Sequence, residues 1–203
     1  VFLFPAFIVS DELPCDDGTD NVVRLFNSPG GNNLVVSLNN VAMTTYDANL
    51  RTACNTTGGD ITFPGSSTLN KGTMTISIAV DARAVRVELS MRKDDNTVGW
   101  VCVNGKAQNG IVEDDYCTFD LCNNQVIFAF QICDALTKPG TYKFDDNSMY
   151  LFFNPIPYEN RNLMTGMWKI SVEGLIEDQS IFAWTFLGSD DSGWVHITKT
   201  MVQ

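Results

Sequence analysis

The chain has 203 residues, with 13 basic side chains against 24 acidic ones and a formal charge of -11 at neutral pH. Nucleic acid and anionic bilayers both demand Lys and Arg to neutralise phosphate, and no basic cluster occurs here, so neither partner is expected and no membrane span is expected either. An apolar content of 44% with 11% aromatic residues supplies the burial that a disordered chain lacks.

The opening ten residues, VFLFPAFIVS, are apolar up to Ser10. In an extended strand Val1, Leu3, Phe7 and Val9 would share one face and Phe2, Phe4, Ala6 and Ile8 the other, so both faces need burial. Pro5 lacks an N–H and suits a strand at an edge or a break in a ladder. A signal-peptide remnant would normally follow a basic region and an initiator Met, and neither is present, so the chain reads as a processed one. Two readings then compete. The run is a first strand packed within its own domain, or it is a donor arm completing the sheet of a neighbouring subunit. Residues 11–21 read as a polar hinge between this arm, 1–10, and a single β domain over 22–203.

Within the hinge, CDDGTDN places Asp16, Asp17, Asp20 and Asn21 in one turn. Calcium takes several oxygen ligands from such loops, although the EF-hand spacing and its terminal Glu are missing. The competing reading is an ordinary solvated turn, where Asp is favoured for backbone reasons. No cofactor is expected, and calcium is the one ion this chemistry admits.

Six cysteines, Cys15, Cys54, Cys102, Cys117, Cys122 and Cys133, form an even set. The sequon Asn55-Thr56-Thr57 follows one of them and makes Asn55 a candidate glycosylation site. With a single histidine and no Cys-x-x-Cys, zinc is disfavoured, and an oxidising, extracellular or cell-surface location is the simplest account. The crowding of four cysteines between 102 and 133 suggests two bridges there, with a third from Cys15 to Cys54.

Strand patterns fill the remainder. TMTISIAV (73–80) puts Met74, Ile76, Ile78 and Val80 on one face. AVRVELSM (84–91) does the same with Val85, Val87, Leu89 and Met91, and the short link 81–83 predicts a hairpin between them. QVIFAFQIC, apolar on both faces, predicts a central strand. Gly-, Asn-, Asp- and Pro-rich stretches such as SPGGNN, TTGGD and KPG separate the runs as turns. The expectation is an all-β, antiparallel β-sandwich of jelly-roll or Ig-like type, stapled by disulfides.

GMWKISVEG followed by FAWTFLG resembles the closing strands of the P domain of subtilisin-like proprotein convertases and of related secreted jelly rolls. The matching positions are Gly166, Trp168, Ile170, Val172, Trp184 and Phe186, within the last quarter of the chain. The resemblance implies a jelly-roll fold and leaves function open. Where the family carries an acidic residue shortly after the Val, this chain has Gly174, so calcium binding does not carry over.

Enzyme chemistry finds little footing. His196 lies on an alternating strand, no Gly-x-Ser-x-Gly elbow exists, and the carboxylates sit in turns. No catalytic residue is expected. The GSDDSGW loop offers Asp190 and Asp191 for sugar hydroxyls and Trp194 for stacking, a possible glycan contact, although Trp194 also suits a core. The expected function is therefore a structural subunit of an extracellular filament or surface assembly, a homo-oligomer or polymer joined by strand donation through residues 1–10. The alternative is a monomeric glycan- or calcium-binding module.

Overall fold

Period-two alternation of apolar and polar residues governs most of the chain, and the computed structural model shows a mostly-β fold over the residues it describes: 15–56, 58–123, 127–128, 130–145, 149–153, 161–188 and 193–199. The arm residues Val1, Phe2, Leu3, Phe4, Pro5, Phe7, Ile8 and Val9 lie outside this set, as do Asp190 and Asp191.

The strands are β1 (Val22–Asn27), β2 (Val36–Asp47), β3 (Cys54–Asn55), β4 (Gly58–Phe63), β5 (Gly65–Ile76), β6 (Arg86–Lys93), β7 (Trp100–Val103), β8 (Lys106–Ala107) and β9 (Thr118–Asp120). There follow β10 (Ile127–Phe128), the helix α1 (Phe130–Leu136), β11 (Gly140–Lys143), β12 (Met149–Phe153), the single helical turn α2 (Arg161–Met164), β13 (Gly166–Ile176), β14 (Gln179–Leu187) and β15 (Val195–Lys199). Hydrogen bonds join all fifteen strands into one sheet, whose main path runs β10-β12-β5-β2-β1-β14-β13-β15-β4-β3, with β6 on the free side of β13 and β7 and β9 beyond it.

The sheet curls strongly into a half-barrel, and its two longest partners show how. β2 and β5 pair in two blocks, Val36–Asn39 with Thr73–Ile76 and Ala42–Asp47 with Gly65–Lys71, with the register shifting between them. Asn40, in the left-handed region at φ 52, and Gly72, at φ 90, sit at this break. A bulge of this kind bends both strands and increases their twist. Gly72 is required there, since a Cβ would stand 2.3 Å from the Asn40 carbonyl oxygen.

Several sequence expectations change. The sheet is mixed, because β15 runs parallel to β4 with His196 opposite Asp60. The hairpin across 81–83 does not form. β5 pairs with β2, β11 and β12, whereas β6 pairs with β13, β7 and β9. Between them Val80 donates to the Leu136 carbonyl and Asp81 caps a tight turn over Ala82–Ala84. The alternating face of β6 is buried at Val87, Leu89 and Met91, but Ile78, past the end of β5, is 60% exposed. QVIFAFQIC is not a central strand: it yields the two-residue β10 and then α1, which buries Ile132, Ala135 and Leu136 at helical spacing. TTGGD is not a free turn either, since Gly58, Gly59 and Asp60 open the buried strand β4.

Three disulfides staple the fold: Cys15–Cys54, Cys102–Cys117 and Cys122–Cys133. The first ties the start of the described chain to β3. The described part of the polar hinge is also anchored, with the Asn21 amide donating to the Thr45 carbonyl and the Tyr46 hydroxyl donating to Asp17.

Candidate functional site

The inner face of the curled sheet is apolar, and its rows can be read from the register. Val172 on β13 stands opposite Trp184 on β14, and Ile170 stands opposite Phe186, which in turn faces Leu25 on β1, itself opposite Val41 on β2. Side chains in one row share a face, so Val172, Trp184, Phe186, Leu25 and Val41 all project inward. From the other limb Leu69 and Met74 of β5 meet them, with Leu151 of β12. The open side of the half-barrel is roofed by Phe119, Leu121, Ile132 and Phe144. These groups do not close completely: they bound an apolar cavity of 90 Å³.

The local sequence explains the cavity's walls. Phe182 and Trp184 would fall on one face of a regular strand, and their rings stack at 4.2 Å with planes 19° apart. Gly174, paired with Phe182 across β13 and β14, makes this possible: a Cβ at 174 would lie 2.2 Å from the Phe182 ring. The roof is held by Cys122–Cys133, which fastens α1 to the segment after β9, and by the Leu121 N–H bonded to the Val85 carbonyl.

Chemically this is a site for burial rather than reaction. No titratable side chain lines it among the described residues. An engineered apolar cavity of about 150 Å³ stays dry and takes one benzene, so a smaller one accepts a short alkyl end or a compact apolar group. Among the described residues no polar atom opens onto the cavity, the indole nitrogen of Trp184 included. Trp184 is 7% exposed, and its indole Nε1 is buried without a hydrogen-bond partner.

Among the described residues, three groups have displaced titrations, all away from the cavity. Tyr46 is raised by burial, with a further upward push from its hydrogen bond to Asp17. Arg86, at the start of β6, is raised by its bond to Asp178 in the β13–β14 turn. Asp95 is lowered because it accepts from the Thr97 backbone N–H.

The residues singled out from sequence are distributed as follows. Asp16, Asp17 and Asp20 do not converge: Asp20 accepts from the Asp16 N–H, and Asp17 accepts from Asn21 and Tyr46. No group of three His, Cys, Asp or Glu side chains that could hold a metal occurs among the described residues. Trp194 is covered by the Lys169 ammonium, 4.9 Å from its ring centroid. Asn55 donates its amide to the Asp60 carboxylate, which also meets His196 Nδ1 at 2.8 Å. This polar trio joins β3, β4 and β15, and among the described residues no hydroxyl or thiol is hydrogen-bonded to the imidazole. Trp168, Ile170, Val172, Trp184 and Phe186 all fall on β13 and β14, and three of them, Val172, Trp184 and Phe186, line the cavity.

Sequence reasoning missed the cavity itself. Its signal was present only as inward faces on separate strands, Leu25, Val41, Leu69 and Val172 among them, with nothing to show that those faces bend around one space. Compared with known proteins, the chain matches no family model and no curated protein. Among the described residues, no helix is long and apolar enough to cross a membrane.

Proposed function

We propose that this protein is an exported, disulfide-stapled binding protein that holds an apolar ligand, such as an alkyl chain end or a small lipophilic molecule, inside its curled sheet. The observation that supports it is the cavity, wholly apolar and set between the sheet and a disulfide-anchored roof. Well-packed interiors leave few voids larger than a water molecule, and an apolar one that stays dry can take a small apolar group. The reading makes the protein a carrier or sensor rather than an enzyme. Its three bridges favour an extracellular or cell-surface location. Glycosylation of Asn55 is compatible with it, because a glycosylated amide keeps one N–H for Asp60. Organic extraction of the purified protein followed by mass spectrometry, together with titration by propane monitored by NMR, tests this. Bound lipophile or saturable shifts at Val41, Leu69 and Val172 support it, and absence of both overturns it.

A second reading, assembly through the apolar arm 1–10, is favoured by a different feature. Tyr150 and Phe152 are each 47% exposed on β12 and stack at 6.3 Å. Phe152 pairs with Ser66, which pairs with Tyr46, so this outer apolar face lies in the same row as the hydroxyl that anchors Asp17. Deleting residues 1–10 should then abolish a polymer seen by size-exclusion chromatography while leaving a folded body. A truncated protein that still polymerises would disprove strand donation. The jelly-roll kinship is a third element of the proposal, supported by the pairing of Val172 with Trp184 and of Ile170 with Phe186 on adjacent strands.

A further inference from the structure

We infer that the outer face of the sheet, on the side away from the cavity, is a docking surface for an acidic polysaccharide, one that carries sulfate or carboxylate groups. This surface stands whether or not the cavity takes a ligand. Pairing registers align basic residues from distant parts of the chain along one row. Arg92 on β6 stands opposite Lys169 on β13 and, on its other side, opposite Trp100 on β7. Leu187 of β14 lies beside Lys169, since a Cβ at Gly193 would stand 3.6 Å from Leu187 Cδ2 and 3.9 Å from Lys169 Cε. Leu187 faces Arg24 on β1, Arg24 faces Ala42 on β2, and Ala42 faces Lys71 on β5. The alternate residues Leu25, Ile170 and Met91 are buried on the inner face, so this row projects outward, and Arg24, Lys71, Arg92, Trp100 and Lys169 are all exposed. No two of its cations are neighbours in sequence, which is why the sequence shows no basic cluster.

Charge complementarity selects the partner. Four of the chain's 13 basic residues share this row in a molecule of net charge -11. Arg92 and Lys169 put like charges directly opposite, an arrangement that is destabilising by itself and that an anion lying between them relieves. Among the described residues the cations in contact with carboxylates are Arg86, with Glu88 and Asp178, and His196, with Asp60, so no carboxylate neutralises this pair. Each is held against an indole instead: Arg92 Cζ lies 6.0 Å from the Trp100 ring centroid, and Lys169 Nζ lies 4.9 Å from that of Trp194. Trp100, 46% exposed, sets an apolar ring beside the charge, as stacking on a sugar requires. The next row of the same face brings Thr185, Ser171 and Ser90 into register, hydroxyls that can bond those of a sugar. Beyond them Glu173 faces Glu88, and on the other flank Asp94 follows Arg92 by two residues. These carboxylates repel an anionic chain from either side and confine it to the basic row, so it lies across the strands. An acidic peptide would match the charges but leave Trp100 and the hydroxyl row unused, and the oxidising compartment favoured by the three bridges is one where polysaccharide is met.

Calorimetric titration of the full chain with heparin oligosaccharides tests sulfate, and with hyaluronan oligosaccharides tests carboxylate; polyglutamate and single-stranded DNA are the comparisons. At least one glycan should bind. Arg92→Gln and Lys169→Gln should each weaken it about fivefold, the loss of one charge pair in water, while Lys138→Gln, just past α1 on the roof, should leave the affinity unchanged. Trp100→Ala should weaken it as well. Failure of both glycans to bind, or equal affinities in wild type and the two charge variants, would overturn the docking surface. Polyglutamate or DNA binding as tightly as the better glycan, or an unaltered glycan affinity in Trp100→Ala, would overturn its assignment to polysaccharide. Should a variant fail to fold, salt decides on wild type: raising ionic strength from about 0.1 M to about 1 M shortens the screening length from about 10 Å to about 3 Å and should abolish glycan binding, and binding that persists unchanged would overturn the inference.

Discussion

His196 Nδ1 lies 2.8 Å from the Asp60 carboxylate, and the bond crosses the parallel pairing of β15 with β4. Asp60 is buried and accepts from Asn55 as well, so its charge is met from two strands at once. Replacing His196 with Ala leaves a buried acceptor short of a partner and should destabilise the protein by about 1–3 kcal/mol. The midpoint of urea unfolding measures this. A change within error would show that the bond contributes nothing to the parallel ladder.

Gly174→Ala tests the packing that shapes the cavity. The new methyl would stand 2.2 Å from the Phe182 ring, which is pinned between Gly174 and Trp184. Overpacking of this kind costs about 1–3 kcal/mol. Both the melting temperature and the Trp fluorescence should change, because the displaced ring must slide along the indole. A fully stable variant with unaltered fluorescence would mean that Phe182 has room to move.

Removing Cys122–Cys133 by paired Ser substitution loosens the roof. The bridge spans a separation of 11 residues. Chain-entropy reasoning puts its contribution at about 3 kcal/mol. Hydrogen exchange should rise first in α1 and at Val80, whose N–H bonds to the Leu136 carbonyl, while β1, β2 and β14 keep their protection. Uniform loss of protection would instead make the bridge a staple of the whole fold.

Tyr46 gives the pH dependence. Burial, and then the hydrogen bond it donates to Asp17, raise its folded pKa above the ordinary value of 10.0. The folded protein thus holds this proton more tightly than the unfolded chain. That stability is fully present below the unfolded pKa and is lost as pH rises from there through the raised folded value. Alkaline unfolding followed in Tyr46→Phe should therefore lack this part of the slope. Asp17→Asn should reduce it, and an identical slope in wild type and Tyr46→Phe would refute the account.

Leu69→Ala enlarges the cavity and should cost about 2–5 kcal/mol. If the cavity admits ligands, toluene should restore part of that loss in the variant, since a ligand bound only by the native state stabilises it by mass action. Thermal unfolding with and without toluene measures the recovery. Equal shifts in wild type and variant would place toluene elsewhere.

Local pattern went far with this chain wherever a strand had one wet face. The alternation of Val87, Leu89 and Met91 reads directly as a buried face, and an even cysteine set reads as bridges, because both depend on residues close in sequence. It failed at QVIFAFQIC, where an apolar run too short to show its period became β10 and a helix, and at 81–83, where a short link suggested a hairpin. Partner choice in a sheet is a long-range matter: β6 takes β13, some eighty residues away, because their apolar faces complete one inner surface. Sequence alone determined that the protein is acidic, β-rich and rich in cysteine. Tertiary structure decided that the sheet curls, through the bulge at Asn40 and Gly72, and so brings Leu25, Leu69, Ile132 and Trp184 around a common space. Curvature arises from pairing registers between distant strands, and no single stretch of the chain encodes it.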